Sequence, residues 1–351
     1  MSGAILVYGA TGYTGKLIAR AASARGARPI LAGRSLDKVK AVAEPLGFAA
    51  RAFSLYDRAR VDAALDGVST VLSGAGPFSA TARPMVEACL RNRVHYLDIT
   101  GEIDVFEALA ARDAEARARG VTLLPGVGFD IVPSDCLAAH LKRRLPDADD
   151  LKLYLSLRAD FSRGTAKSAV QSIAAGVRLR RNGRIVSRDR ADTGSCDFGS
   201  GEKPTVQAPW GDVATAFHST GIPNIEVQFA ASPALAAGAG APGLVRSLLG
   251  SAFMQSMLNA AVEWLPEGPT EAARQAGRAV LVGAARNPRG ESVRTRMTTP
   301  EAYSLTALTA LDAAMRVAGG EVRPGFETPS RAFGADYVLG FDGVRREDLN
   351  R

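Results

Sequence analysis

The run Ala4-Ile5-Leu6-Val7-Tyr8-Gly9-Ala10-Thr11-Gly12-Tyr13-Thr14-Gly15-Lys16-Leu17-Ile18-Ala19-Arg20 constrains this chain most, because a strand of buried type passes directly into a three-glycine turn that opens a helix. Each glycine meets a separate steric demand of a pyrophosphate resting on backbone. Gly9 permits the tight exit from the strand, Gly12 brings the chain close to the phosphates with no Cβ in the way, and Gly15 lets the helix lie near the strand. The amides of the first helical turn then face the anion. Farther along, Leu17, Ile18, Ala21 and Ala22 share one helical face, and Gly26 stands where a helix commonly ends in a left-handed residue. The spacing is G-x-x-G-x-x-G rather than G-x-G-x-x-G, so the strand, turn and helix context carries the reading. It predicts dinucleotide contacts from Gly9, Ala10, Thr11, Gly12, Tyr13, Thr14 and Gly15.

The end of the second strand selects the cofactor. Pro29 to Ala32 is a short apolar strand followed by Gly33-Arg34-Ser35-Leu36-Asp37-Lys38. About 20 residues past the glycines, an NAD-binding domain keeps an acid for the ribose 2′-hydroxyl. Here the position holds Arg34, whose guanidinium, with the Ser35 hydroxyl and Lys38 one turn on, suits a 2′-phosphate. NADP is the expected cofactor. The alternatives are that Arg34 is a surface arginine while Ser35 caps the next helix, and that Asp37 serves the ribose.

A chain of 351 residues is long for one domain and natural for two. Its formal charge of +7 comes from arginines spread along the whole length, so no nucleic-acid partner is expected. The dense run from Arg178 to Arg190 reads as a hairpin, with Asn182-Gly183 as a type I′ turn between Val177-Arg178-Leu179-Arg180-Arg181 and Arg184-Ile185-Val186, its arginines on solvated strand faces. Cys89, Cys136 and Cys196 are odd in number and far apart, which argues against a disulfide framework and a zinc cage, and His95, His140 and His218 lack ligand spacing; no metal is expected. The amino terminus has no basic segment leading into an apolar one, so no signal peptide and a reducing cytoplasm are expected.

Beyond Lys38, apolar strands and helical stripes alternate. Strands are expected at Ala50 to Phe53, Thr70 to Ser73, His95 to Asp98 and Thr122 to Leu124, with helices near Thr81 to Arg91 and Ile103 to Arg119. The fold class is α/β: an N-terminal Rossmann, doubly wound parallel sheet, whose ligands belong at the carboxyl ends of its strands. Those ends carry Gly74-Ala75-Gly76-Pro77-Phe78, Asp98-Ile99-Thr100-Gly101-Glu102 and the run from Gly126 to Asp135. They are expected to line the nicotinamide half, with Gly74, Ala75, Gly76, Pro77, Thr100 and Gly101 against the cofactor and Phe78 shielding the ring. The plainer reading makes them ordinary turns, with Ser134 or Asp135 as a helix cap.

Taken together, Gly9 to Gly15, Gly33-Arg34-Ser35, Gly74 to Phe78, Tyr96 to Glu102 and Gly126 to Asp135 resemble the saccharopine dehydrogenase-like family, including its trans-acting enoyl reductase branch. Gly164-Thr165, Pro209-Trp210-Gly211-Asp212, Ser219 to Asn224, Thr299 to Tyr303 and Gly325 to Gly334 are similar to that family's later blocks. The resemblance implies an NADP-binding Rossmann domain over 1–133, a second α/β domain with a mixed sheet over 134–299 that covers the nicotinamide and often mediates dimerisation, and a helix and tail over 300–351 that return to the first domain. It does not imply saccharopine as substrate. Nor does any tyrosine precede a lysine by four places, as in the Tyr-x-x-x-Lys pair of short-chain dehydrogenases.

In the second half, Leu151 to Leu157 alternates like a strand and Thr165 to Gly176 suits a helix. Strands near Ala279 to Ala285 and Glu291 to Met297 flank Asn287-Pro288-Arg289-Gly290, and Leu305, Leu308, Leu311 and Met315 recur along a helix from about Pro300 to Ala318. From Val227 to Val262 the sole charged residue is Arg246, but Gly and Pro interrupt the stretch too often for a membrane span. A buried core or subunit interface is favoured over a lipophilic substrate portal or a membrane-touching surface. The leading expectation is an NADPH-dependent reductase of a C=C or C=N bond in a small molecule, lipophilic if that stretch is a portal, working as a homodimer. The proton donor is sought first in Asp130, then in Asp98, Glu102 and Tyr96. The competing expectation is a non-catalytic protein that senses NADP.

Overall fold

The computed structural model describes residues 3–158, 177–233 and 267–349. The chain divides into two compact units, 1–132 with 303–333 and 133–302 with 334–351.

In the first unit, strands β1 (Ala4–Tyr8), β2 (Ile30–Gly33), β3 (Ala50–Ala52), β4 (Val68–Ser73), β5 (His95–Asp98) and β6 (Thr122–Leu124) alternate with helices α1 (Tyr13–Ala24), α2 (Leu36–Ala43), α3 (Arg58–Ala64), α4 (Phe78–Asn92), α5 (Ile103–Ala110) and α6 (Asp113–Arg119). All strands pair in parallel, in the order β3-β2-β1-β4-β5-β6, and the short strand Gly325–Phe326 adds a seventh beside β6. This is the doubly wound order, and its switch point falls between β1 and β4. Strands β1 and β2 are apolar throughout because both sheet faces are covered, whereas β3 to β6 also carry Arg51, Ser69, Thr70, Ser73, His95, Asp98 and Thr122. Leu6, Val71, Tyr96 and Leu123 face a core completed by Met85, Val86 and Cys89 of α4, whereas Val7, Leu72, Leu97 and Leu124 face Ile18 and Ala19 of α1.

The helix Ala302–Ala318 packs on that second face through Ala307, Ala310, Ala313, Ala314 and Val317. Its contact stripe is therefore built from small residues that let the backbone come close. Leu305 and Leu311 are buried as expected, but Met315 is 41% exposed. The helical stretch expected over Ile103 to Arg119 is two helices: the backbone of Arg112 leaves the helical region, and its amide turns back to the Leu109 carbonyl. Helix α1 ends as expected, with Gly26 at φ +69° and the Ala27 amide bonded to the Ala22 carbonyl.

The second unit holds a nine-stranded mixed sheet. Along it lie Thr193–Asp197, Glu202–Gln207, Asn224–Ala230, Asp150–Arg158, Arg278–Arg286, Ser292–Pro300 and Arg345–Asp348 in spatial order, and the strands Val177–Arg181 and Arg184–Arg188 attach beside Asn224–Ala230. Asp150–Arg158 runs parallel to Asn224–Ala230 and antiparallel to Arg278–Arg286. The hairpin turns at Asn182 and Gly183, whose φ of +48° and +74° fit type I′. One of its arginines departs from the solvated-face expectation: Arg180 is 3% exposed, lies over the Phe217 ring, and donates to the Val213 and Gly183 carbonyls. Stacking and carbonyl acceptors replace the water it gives up. The tail also departs from expectation, since Gly334–Arg351 groups with the second unit, where Arg345–Asp348 extends the sheet along Ser292–Pro300. The helix expected over Thr165 to Gly176 and most of the Val227 to Val262 stretch lie outside the described residues, although Val227 itself is a buried strand residue.

Candidate functional site

The glycine turn separates steric need from ligand need. Gly9 sits at φ +84°, and a Cβ there would come within 2.8 Å of the Ala75 amide nitrogen. On Gly15 a Cβ would lie 2.3 Å from the Gly9 carbonyl oxygen. Both glycines are required by the protein's own packing. Gly12 differs: its Cβ would meet nothing closer than the Gly9 carbonyl at 3.4 Å, and the residue is exposed. Its bare Cα is thus open toward the outside of the turn, where a pyrophosphate would approach. Gly12 is the N-cap of α1, supplies no side-chain cap, and is followed by a first turn without an acid. A helix start of this kind suits an anion. Ala10 is buried under the turn, and Thr11, Tyr13 and Thr14 are half-buried along it.

At the end of β2, Arg34, Ser35 and Lys38 are all exposed. Ser35 is the N-cap of α2 but makes no side-chain capping bond, so the capping alternative for its hydroxyl does not hold. Among the described residues no hydrogen bond or ion pair engages Arg34 or Lys38. Arg34 acts instead through space on the Tyr8 hydroxyl, lowering a pKa that burial raises more strongly. Two cations, a hydroxyl and a helix start at one sheet edge suit a 2′-phosphate.

At the other half of the sheet edge, three loops are tied to one another. Asp98 is wholly buried, and its carboxylate accepts the Tyr96 hydroxyl at 2.7 Å, the Thr100 amide at 3.0 Å and the Gly126 amide at 3.0 Å. Burial pushes its pKa up to about 6, against those three donors. Tyr96 is also wholly buried and its pKa is raised by the same burial. Both are struts holding the ends of β5 and β6 together, so neither reaches a substrate as a proton donor would. Glu102 is committed as well: its two carboxylate oxygens accept the Phe78 amide at 2.8 Å and the Ser79 amide at 2.7 Å, capping α4 from outside. Sequence reasoning missed this role. The signal lay in Pro77, which occupies the N-cap of α4 and has no side-chain acceptor to offer.

Phe78 and Thr100 also depart from expectation. Phe78 is 8% exposed, packed in the core below the sheet as the first residue of α4, so it does not shield a ring above it. Thr100 is wholly buried with its hydroxyl accepting the Glu102 amide. Gly74, Ala75, Pro77 and Gly101 remain partly exposed and Gly76 is exposed, with the Gly74 amide bonded to the Tyr8 carbonyl across the switch point.

Asp130 behaves differently from the other three acids and phenols. It is partly exposed and lies against the β5 loop, where a Cβ on Gly101 would come within 3.1 Å of its Oδ2. Burial raises its pKa to about 7. A carboxyl that holds its proton near neutrality has the pKa that general-acid chemistry calls for. In the second unit, Asp135 is buried in the first turn of the helix Val132–Arg144 and accepts a hydrogen bond from the Ser219 hydroxyl, a structural role. Among the described residues, no three His, Cys, Asp or Glu side chains gather as metal ligands.

Comparison with known proteins places this geometry. Residues 5–124 match the family model described as the saccharopine dehydrogenase NADP binding domain. A trans-acting enoyl reductase of Mycobacterium leprae (strain TN) is 35% identical over 149 residues, which is 40% of this chain and 36% of that protein. A putative trans-acting enoyl reductase of Mycobacterium tuberculosis is 32% identical over 184 residues, 48% of this chain and 44% of its own length. The chain thus spans less than half the length of these curated relatives. Among solved structures, the apo, histidine-tagged saccharopine dehydrogenase (L-Glu forming) of Saccharomyces cerevisiae aligns over 99% of this chain and 100% of its own, with a TM-score of 0.70 at 12% identity. That likeness concerns the fold.

Proposed function

We infer, from a chain whose residues 5–124 match the saccharopine dehydrogenase NADP binding domain, that the protein is an NADPH-dependent reductase of a C=C or C=N bond in a small molecule. The observation that carries this reading is Asp130, a residue at the carboxyl edge of a dinucleotide-binding sheet whose carboxyl is pushed by burial to a pKa of about 7. Gly12 and the start of α1 would hold the pyrophosphate, and Arg34, Ser35 and Lys38 the 2′-phosphate. When bound, NADPH supplies the hydride. Asp130 supplies the proton to the atom that does not receive it, which requires its neutral form. Gly74 to Pro77 and Gly101 offer backbone without bulky side chains to the reacting ring. The enoyl reductase naming of the mycobacterial relatives favours an α,β-unsaturated acyl substrate, and that substrate class is part of the proposal. We further place the protein in the cytoplasm as a homodimer, with the three described cysteines free and buried as a reducing compartment allows. Among the described residues no helix is long and apolar enough to cross a membrane.

The test is oxidation of NADPH across a panel of α,β-unsaturated thioesters and cyclic imines, in wild type and in Asp130→Asn. Turnover of one class that falls at least tenfold in the variant supports the reading. Tight NADPH binding with no oxidation of any panel member would favour a sensor instead.

A further inference from the structure

One helix of the first unit meets the site at two places. Near the start of Ala302–Ala318, the Tyr303 ring packs edge to face on Tyr13 of the glycine turn, with centroids 5.2 Å apart and planes at 90°. One turn later the Thr306 hydroxyl oxygen accepts the Phe129 amide at 2.9 Å, and a further turn on the Thr309 hydroxyl donates to the Val127 carbonyl at 2.8 Å. Steps of three residues keep these side chains along one side of the helix. Both threonines are buried, so these bonds are shielded from competing water.

The loop they hold closes on itself through the Ile131 and Val132 amides, both bonded to the Gly128 carbonyl. Gly126 and Gly128 flank Val127, and Gly126 sits at φ +73°. A Cβ on Gly128 would lie 2.9 Å from the Thr306 methyl and 3.3 Å from the Ile99 Cβ, so the backbone here is pressed directly against the helix. On its other side the loop is held by Asp98, through the Gly126 amide at its carboxylate and the Val127 amide at its carbonyl, 2.8 Å away. Asp130 follows immediately after Phe129. The backbone from which its carboxyl projects is therefore positioned by these attachments.

We propose that Thr306 is a positioning residue for the proton donor: through the Phe129 amide it registers the Asp130 carboxyl against a cofactor whose binding turn the same helix touches through Tyr303. The proposal rests on the reading of Asp130 as the acid. A misplacement of about 1 Å at a reacting group can cost on the order of a hundredfold in rate. Removing the hydroxyl while keeping the shape is thus expected to lower turnover roughly ten- to a hundredfold.

The experiment compares wild type, Thr306→Val, Thr306→Ser and Asp130→Asn as full chains. NMR follows the side-chain carboxyl resonance of Asp130 through a pH titration, calorimetry measures NADPH affinity, and NADPH oxidation is measured with an α,β-unsaturated thioester. The expected result is that Thr306→Val frees the carboxyl toward water, moves its titration from about 7 toward the ordinary carboxylate range, and lowers kcat with NADPH affinity unchanged. Thr306→Ser should restore both. Gly128→Ala pushes the loop off an intact threonine and should shift the titration in the same direction, should Thr306→Val fold poorly. An unchanged Asp130 titration and full turnover in Thr306→Val, alongside lost turnover in Asp130→Asn, overturns the positioning role alone. Full turnover in Asp130→Asn overturns the acid assignment and the proposal with it.

Discussion

Replacing Glu102 by alanine takes both outside acceptors away from the start of α4. The two bonds differ in worth, because the Phe78 amide at 2.8 Å belongs to a buried residue and the Ser79 amide at 2.7 Å to an exposed one. A hydrogen bond to a charged acceptor contributes about 1.5 kcal/mol or more where the donor would be left buried and unpaired, and about 0.5 kcal/mol where water can replace it. The expected loss is about 2 kcal/mol, or about 4 to 8 °C in the melting temperature of a unit of this size. Glu102→Gln keeps one acceptor and should lose about half as much. Calorimetric melting of the two variants beside wild type, with NADPH oxidation measured well below the melting range, separates the roles. The capping argument predicts lower melting temperatures with turnover within a few fold. A melting temperature equal to wild type with turnover abolished would refute it and return Glu102 to the chemistry.

Asp130 gives a pH signature with a definite sign. Its folded pKa of about 7 lies above the unfolded value of about 3.9, so the native state binds the extra proton in between. Stability from this group is fully present below about pH 4 and is lost as pH rises through about 7, by up to about 4 kcal/mol. Asp130→Asn should abolish that slope in urea unfolding measured from pH 5 to about 8, and wild-type turnover should fall over the same rise as the acid loses its proton. The glycines separate in the same spirit. Gly15→Ala, with a Cβ 2.3 Å from the Gly9 oxygen, should unfold or severely destabilise the first unit. Gly12→Ala meets its nearest neighbour at 3.4 Å and should cost at most about 1 kcal/mol of stability while lowering NADPH affinity at least about tenfold by calorimetry.

Much of the first unit was legible from residue patterns because parallel strands buried on both faces read as apolar runs, as β1 and β2 do along their whole length and β4 does at Val71 and Leu72. The glycine turn was legible because the demand on Gly15 is local, its neighbours being Gly9 and Ala10, although the contact that fixes Gly9 comes from Gly74 and Ala75 at the end of β4. The acids were harder to assign. Asp98, Glu102 and Asp130 look alike in sequence, and what separates them is which amides from distant loops point at each carboxyl. The Gly126 amide is 28 positions from Asp98 and the Phe78 amide 24 from Glu102. Thr306 and Thr309 were invisible for the same reason, since their partners lie 177 and 182 positions away. Arg180 misled because hairpin strands are commonly half solvated, and nothing local announces the Phe217 ring beneath it.

The central claim is a cofactor pocket that prefers NADPH because Arg34 and its neighbours meet a 2′-phosphate. Calorimetric titration of NADPH and NADH into wild type and Arg34→Ala tests it directly. One charge-assisted contact of about 1.5 to 3 kcal/mol corresponds to roughly ten- to a hundredfold. The account predicts a wild-type preference for NADPH of at least that size, with the variant losing it by weaker NADPH binding while NADH affinity stays the same. Equal affinities for the two nucleotides in wild type, or an NADPH affinity that Arg34→Ala leaves untouched, would contradict it.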